Sequence, residues 1–132
     1  TRATWGVDNR TAALRVLPSV GKSARLETRV SGSDINPYVA LAAALASGLY
    51  GMENKLEIPV AEASGSAYDQ QEAARLPSTL QEATEALAQS KVARELFGAP
   101  FVDHFVQSRR WEWRQYGKAV SSWELERYFE II

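Results

Sequence analysis

Arg25, Glu27 and Arg29 alternate with Ala24, Leu26, Thr28 and Val30 in the stretch Ser23–Val30. On a β-strand such alternation sends the two sets to opposite faces. One face packs on a core, and the other presents a carboxylate flanked by two guanidinium groups. Upstream, Thr11–Leu17 reads as a second strand carrying Arg15, with Asn9-Arg10 just before it. A hard divalent cation such as Mg²⁺ takes carboxylate and phosphate oxygens as ligands. Arginine forks match phosphate or carboxylate geometry and offset charge on a phosphoryl group in transfer. Four arginines and Glu27 on two short runs therefore read as a site for an anion and a metal. The same spacing also describes a cross-strand ion-pair ladder on a solvated sheet face, and spacing alone leaves both open.

The remaining candidates carry weaker signals. Arg10 and Arg15 are an odd number of positions apart, so a regular strand would send them to opposite faces. Arg10 is accordingly placed in the turn before the strand, reaching inward. Lys22 falls in the next turn, as a phosphate contact or an ordinary exposed lysine. His104, the one histidine, lies between Phe101 and Phe105 and reads as a packed or surface residue. Trp111-Glu112-Trp113 reads as packing, and Tyr68 as a loop tyrosine covering surface.

These residues need a scaffold. Pro18 ends the first strand, and Ser19–Ser23 with Gly21 forms an antiparallel turn. Gly6 and Asp8-Asn9 read as turn formers. Asn36 caps a helix with Pro37 at its first position. Tyr38, Leu41, Leu45, Leu49 and Met52 then recur at helical spacing, predicting helix over 37–56. This alanine-rich run is too short to span a bilayer and reads as a buried helix. Its Gly48 and Gly51 mark either a close helix contact or a frayed end. Residues 60–76 read as a mobile loop. A second helix opens at Pro77-Ser78 with a Ser78/Gln81 capping box and a stripe of Leu80, Ala83/Thr84 and Leu87. Ser90 caps Lys91–Phe97, which Gly98 closes. Pro100 starts a longer helix ending at Gly117, with Val102, Val106, Trp113 and Tyr116 on one side. Ser121 and Glu124 cap a last helix whose Leu125, Tyr128, Phe129 and Ile132 pack. The fold class is α+β. An antiparallel strand pair of a larger sheet (1–35) bears the site, and a mainly helical part (36–132) follows.

With 132 residues and a net charge of −1, no global field favours nucleic acid or an anionic membrane. The positive charge is local. The first two strands and their flanks hold Arg2, Arg10, Arg15, Lys22, Arg25 and Arg29 against Asp8 and Glu27. The absence of cysteine excludes thiolate metal sites and disulfides and is compatible with the cytoplasm.

Asn9-Arg10-Thr11, Arg15, Lys22, Arg25-Leu26-Glu27-Thr28-Arg29 and Asp34-Ile35-Asn36-Pro37-Tyr38 stand in register ahead of the alanine-rich helix. In this order they resemble the C-terminal part of the glutamine synthetase family's catalytic domain, over about residues 5–58 and more loosely beyond. The resemblance implies an ATP-dependent ligase that phosphorylates the side-chain carboxylate of glutamate and lets an amine displace phosphate. It implies that Glu27 binds Mg²⁺ or Mn²⁺, and that Arg29 binds glutamate. Arg10, the catalytic residue of the set, bridges substrate and the transferred phosphoryl group. Arg15, Lys22 and Arg25 face the ATP phosphates. It also implies a ring-like homo-oligomer. Tyr68-Asp69 lies where bacterial members carry a nucleotidylated tyrosine, but in a different context. Motif style and tail resemble the branch that joins glutamate to polyamines or other small amines. In the family, the other metal ligands and a β-grasp domain precede the segment beginning at Thr1. The chain alone is therefore expected to be inactive and to associate through apolar surface. Two rivals are a non-catalytic scaffold, against which Arg10, Glu27 and Arg29 speak, and a helical interaction module built on the tryptophans.

Overall fold

The computed structural model describes residues 1–19 and 21–131, so Val20 and Ile132 lie outside the described residues. The chain divides into two units, Thr1–Leu76 and Pro77–Ile132.

The first unit holds a three-stranded sheet in the order β1 (Trp5–Val7), β2 (Leu14–Leu17), β3 (Arg25–Thr28). The antiparallel pair is present. Leu14 lies opposite Thr28, Arg15 opposite Glu27, Val16 opposite Leu26 and Leu17 opposite Arg25. Both strands are shorter than the sequence predicts. Thr11 is held in a turn, because its backbone N–H and hydroxyl both donate to the Asn9 side-chain oxygen, at 2.9 and 2.6 Å. The turn into β3 contains a single 3₁₀ turn, Gly21–Ser23.

β1 is an addition to the expected pair, and it runs parallel to β2. Parallel strands ordinarily need a crossover of a dozen residues or more. A much shorter return suffices here because β1 is only three residues long. Asp8 adopts φ 49° and reverses the chain, and its N–H donates to the Val16 carbonyl at 2.9 Å. Buried Thr4 receives the Ala13 N–H on its hydroxyl at 3.2 Å.

The segment 60–76 is a loop, as expected, and it is tied along β1 and the turn after it. Trp5 Nε1 donates to the Val60 carbonyl at 2.8 Å. Asn9 Nδ2 donates to the Ala63 and Gly65 carbonyls at 3.2 and 2.8 Å. The Ala67 N–H donates to the Thr11 hydroxyl at 2.8 Å, and Arg2 reaches the Ala73 carbonyl. Ala67 and Ala73 are buried, with Ala12 and Ala13, in a core of small side chains. Tyr68 sits exposed in a 3₁₀ turn, Ala67–Asp69.

Helix α1 (Pro37–Glu53) starts as expected, with Asn36 Oδ1 accepting the Tyr38 and Val39 N–H groups. It stops short of Leu56 because Lys55 turns to φ 50°, and the Leu56 N–H closes back on the Gly51 carbonyl. The expectation of a buried helix fails within this chain. No residue of α1 is buried, and Tyr38, Leu41, Leu45 and Met52 are exposed. A side chain at Gly48 or Gly51 would meet nothing, so neither marks a close contact here.

The second unit is helical: α2 (Leu80–Gln89), α3 (Lys91–Phe97), α4 (Ala99–Tyr116) and α5 (Ser122–Tyr128). The α2 cap sits one residue later than the sequence predicts. Thr79 accepts the Glu82 N–H, while the Ser78 N–H and hydroxyl donate to Glu82. The expected Ser78/Gln81 box does not form, because Thr79 takes the cap position and the Glu82 carboxylate binds Ser78, the residue before it. Ser90 caps α3, and the Ser121/Glu124 box forms. Val102, Val106 and Thr84 are buried where α2 meets α4, beside a bidentate pair from Arg110 to Glu85 at 2.7 and 2.8 Å. Trp113 is half-buried and stacks on exposed Tyr116, at 5.3 Å between ring centroids. His104 is exposed, as a surface histidine. On α5 and just after it the expected packing is not made, since Leu125, Tyr128 and Phe129 are exposed, and Tyr128 meets Trp123 edge-on.

Gly98 closes α3 and opens α4 at φ 78° and ψ 144°, a region essentially restricted to glycine. An added Cβ would meet only Pro100 Cδ at 3.8 Å, an ordinary contact. The cost of Gly98→Ala is therefore purely backbone strain, and about 1–3 kcal/mol of stability should be lost. Thermal unfolding with matched circular dichroism checks this, and an unchanged midpoint would refute it.

Candidate functional site

The pleat gives the sheet two unlike faces. Leu14, Val16 and Leu26, joined by Val30, Ile58, Val60 and Leu76, line an open apolar recess. Arg15, Glu27 and Arg29 belong to the other face. Because Arg15 and Glu27 are directly opposite in register, their side chains meet.

Glu27 lies between two arginines. Its Oε2 accepts from Arg15 Nη1 at 3.0 Å, and its Oε1 accepts from Arg29 Nη1 at 2.6 Å. The pair flanking Glu27 is thus Arg15 and Arg29, not Arg25 and Arg29 as alternation within one strand predicts. Arg25 turns back to the Ser23 carbonyl at 3.3 Å. The other edge of Arg15 is paired too. Nε donates to Asp8 Oδ1 at 3.1 Å, and Nη2 donates to the same oxygen. A line of alternating charge results: Asp8, Arg15, Glu27, Arg29. The Arg15 side chain is 14% exposed and that of Glu27 36%, so the line borders solvent.

The electrostatics follow the geometry. Arg29 first, then Arg15, hold the Glu27 carboxyl below its ordinary range. Arg15 does the same for Asp8, and the charges of Arg10 and Arg25 add to it. Both carboxylates have lowered folded values, so their stabilisation is complete above the ordinary range. It fades only as pH falls through the lowered values.

The other candidates lie apart. Arg10 sits in the turn before β2, as expected, and is exposed, with no hydrogen bond to a partner among the described residues. Lys22 is exposed in the 3₁₀ turn. Asp8 is the residue that sequence reasoning missed. Its type and place in the sequence signal only a turn, and its nearness to Arg15 depends on strand β1, which turn chemistry masks.

A metal ion is part of what the resemblance implies. Among the described residues no three His, Asp or Glu side chains converge, so this chain does not assemble a metal centre by itself. Glu27 fits as one ligand. Each of its oxygens accepts one arginine N–H, and a carboxylate oxygen has a further lone pair for a hard cation.

Residues 1–128 match the family described as glutamine synthetase, catalytic domain. Type-1 glutamine synthetase 2 of Dictyostelium discoideum is 53% identical, over 100% of this chain and 26% of that protein. Glutamate–isopropylamine ligase of a Pseudomonas species is 46% identical, over 98% of this chain and 28% of that protein. A solved structure described as apo GmaS without ligand superposes with a TM-score of 0.83 at 31% identity, covering 98% of this chain and 30% of that one. The chain thus spans between a quarter and a third of the length of the relatives it matches. With a family match across nearly its whole length and the three-stranded, five-helix architecture of a partial catalytic domain, this chain belongs to the glutamine synthetase catalytic-domain family.

Proposed function

We propose that the whole protein carrying this chain is an ATP-dependent glutamate–amine ligase. The observation that carries this reading is the Glu27 carboxylate held between Arg15 and Arg29 on a solvent-bordering sheet face. The family uses ATP and divalent metal ions in general, and Glu27 is the residue here that would hold Mg²⁺ or Mn²⁺. When bound, that ion neutralises phosphate oxygens and orients them.

This chain's residues then supply charge and position, which is most of what phosphoryl transfer needs. Arg29 pairs with a carboxylate of glutamate. Arg10 stands exposed in its turn, free to reach between substrate and the moving phosphoryl group. Arg15, Lys22 and Arg25 offset phosphate charge. The γ-phosphoryl group passes from ATP to the glutamate side-chain carboxylate, giving an acyl phosphate and ADP. The amine nitrogen attacks the acyl carbon, the C–O bond to phosphate breaks, and the new amide nitrogen loses a proton. A relative named for isopropylamine supports a small amine other than ammonia as the acceptor. The protein assembles as a homo-oligomer and works in the cytoplasm. No helix among the described residues is long and apolar enough to cross a membrane.

Phosphate release from ATP, measured with glutamate and a panel of ammonia, small monoamines and polyamines, tests the reading. One amine should stimulate release several-fold over the others and yield its γ-glutamyl amide by mass spectrometry. Release independent of glutamate and of every amine would overturn it.

A further inference from the structure

Asp8 has a feature its role in the turn does not require. Its backbone alone reverses the chain, through φ 49° and the N–H bond to Val16. Its side chain is 70% exposed. All its hydrogen bonds go to one group, the outer edge of Arg15.

Arginine on a solvated face normally keeps the rotamer freedom of its long stem. Arg15 does not, because Asp8 engages Nε and Nη2 while Glu27 engages Nη1. The guanidinium plane is fixed from two sides. The Asp8 side is itself anchored. Next to it, Asn9 is clasped to the Ala63 and Gly65 carbonyls, and Thr11 is bonded to Asn9. Segment 60–76 thus sets the turn, the turn sets Asp8, and Asp8 sets Arg15.

We infer that Asp8 is a positioning residue, one that fixes the Arg15 guanidinium and through it the Glu27 carboxylate. The inference rests on the reading of this cluster as the phosphoryl-transfer site. Asp8 itself touches neither substrate nor metal. Its effect is on the rate of transfer and not on glutamate binding, which belongs to Arg29.

The test uses the whole protein with Asp8→Ala, Asp8→Asn, Arg15→Ala and the double variant Asp8→Ala/Arg15→Ala. Asp8→Ala should lower kcat about tenfold, as for other groups that orient a ligand from behind, and leave the glutamate KM within about twofold. Asp8→Asn should restore most of the rate, since its amide oxygen still accepts from Nε and Nη2. In the Arg15→Ala background, removing Asp8 should cost nothing more. An unchanged kcat in Asp8→Ala, or an equal loss with and without Arg15, overturns the inference. If the unsubstituted protein shows no glutamate-dependent ATP cleavage, the ligase reading fails instead. The same variants then form a double-mutant cycle in thermal unfolding. Coupling between Asp8 and Arg15 upholds the positioning, and strict additivity overturns it.

Discussion

Glu27→Ala is expected to reduce amine-stimulated phosphate release by at least about 10²–10³, the cost of removing one preorganised charge-stabilising group. Two losses coincide. On the proposed reading, a hard oxygen ligand for the divalent ion disappears. Arg15 and Arg29, which share this carboxylate at 3.0 and 2.6 Å, are left facing each other without it. Glu27→Gln should be little better. Both carboxylate oxygens accept from arginine, so an amide would turn its NH₂ toward one of two donors, whichever way it flips. Glu27→Asp keeps the charge and should retain more activity than either. Glu27 is on the surface, so circular dichroism should show the fold intact in all three variants. If Glu27→Ala kept more than a tenth of the rate, the residue would be only a rung of an ion-pair ladder.

What was legible in the sequence, and what was not, divides by range of interaction. The caps of α1, α3 and α5 are local, and Asn36-Pro37, Ser90 and Ser121/Glu124 placed them correctly. The α2 cap lies one residue later than expected because Ser78 and Thr79 are adjacent hydroxyl residues, and Thr79 takes the cap while Ser78 binds Glu82. Alternation in β3 and its antiparallel pairing with β2 were also readable. β1 was not, since Gly6 and Asp8-Asn9 carry turn chemistry. The partners that complete it, Val60, Glu62 and Ala63, lie more than fifty residues away. Missing β1 meant missing Asp8, and with it the second partner of Arg15. The swap of Arg25 for Arg15 beside Glu27 has a similar cause. Sequence shows neighbours along one strand, whereas cross-strand register decides which side chains touch. Helix α1 shows the converse. Its periodicity and caps announce a helix that is apolar nearly all round, which normally means burial. Among the described residues none of its side chains is fully buried.

Arg29→Ala is the second large effect, and it should fall on substrate binding. Arg29 follows β3, and its backbone N–H is fixed to the Ala13 carbonyl at 2.9 Å. Its side chain is part-exposed and spends one Nη1 donor on Glu27, leaving the rest of the fork for a carboxylate. Losing charged hydrogen bonds of this kind should raise the glutamate KM by about 10- to 100-fold. The ATP KM should move far less, because Glu27 keeps its bond to Arg15. Arg29→Lys separates charge from geometry. A lysine keeps the positive charge but cannot offer two parallel donors while also holding Glu27. It should therefore recover only part of the loss. Steady-state kinetics with each substrate varied in turn check this. A rise in the ATP KM with an unchanged glutamate KM would reassign Arg29 to the phosphate side, and Glu27 would then have a nucleotide-binding arginine on each flank.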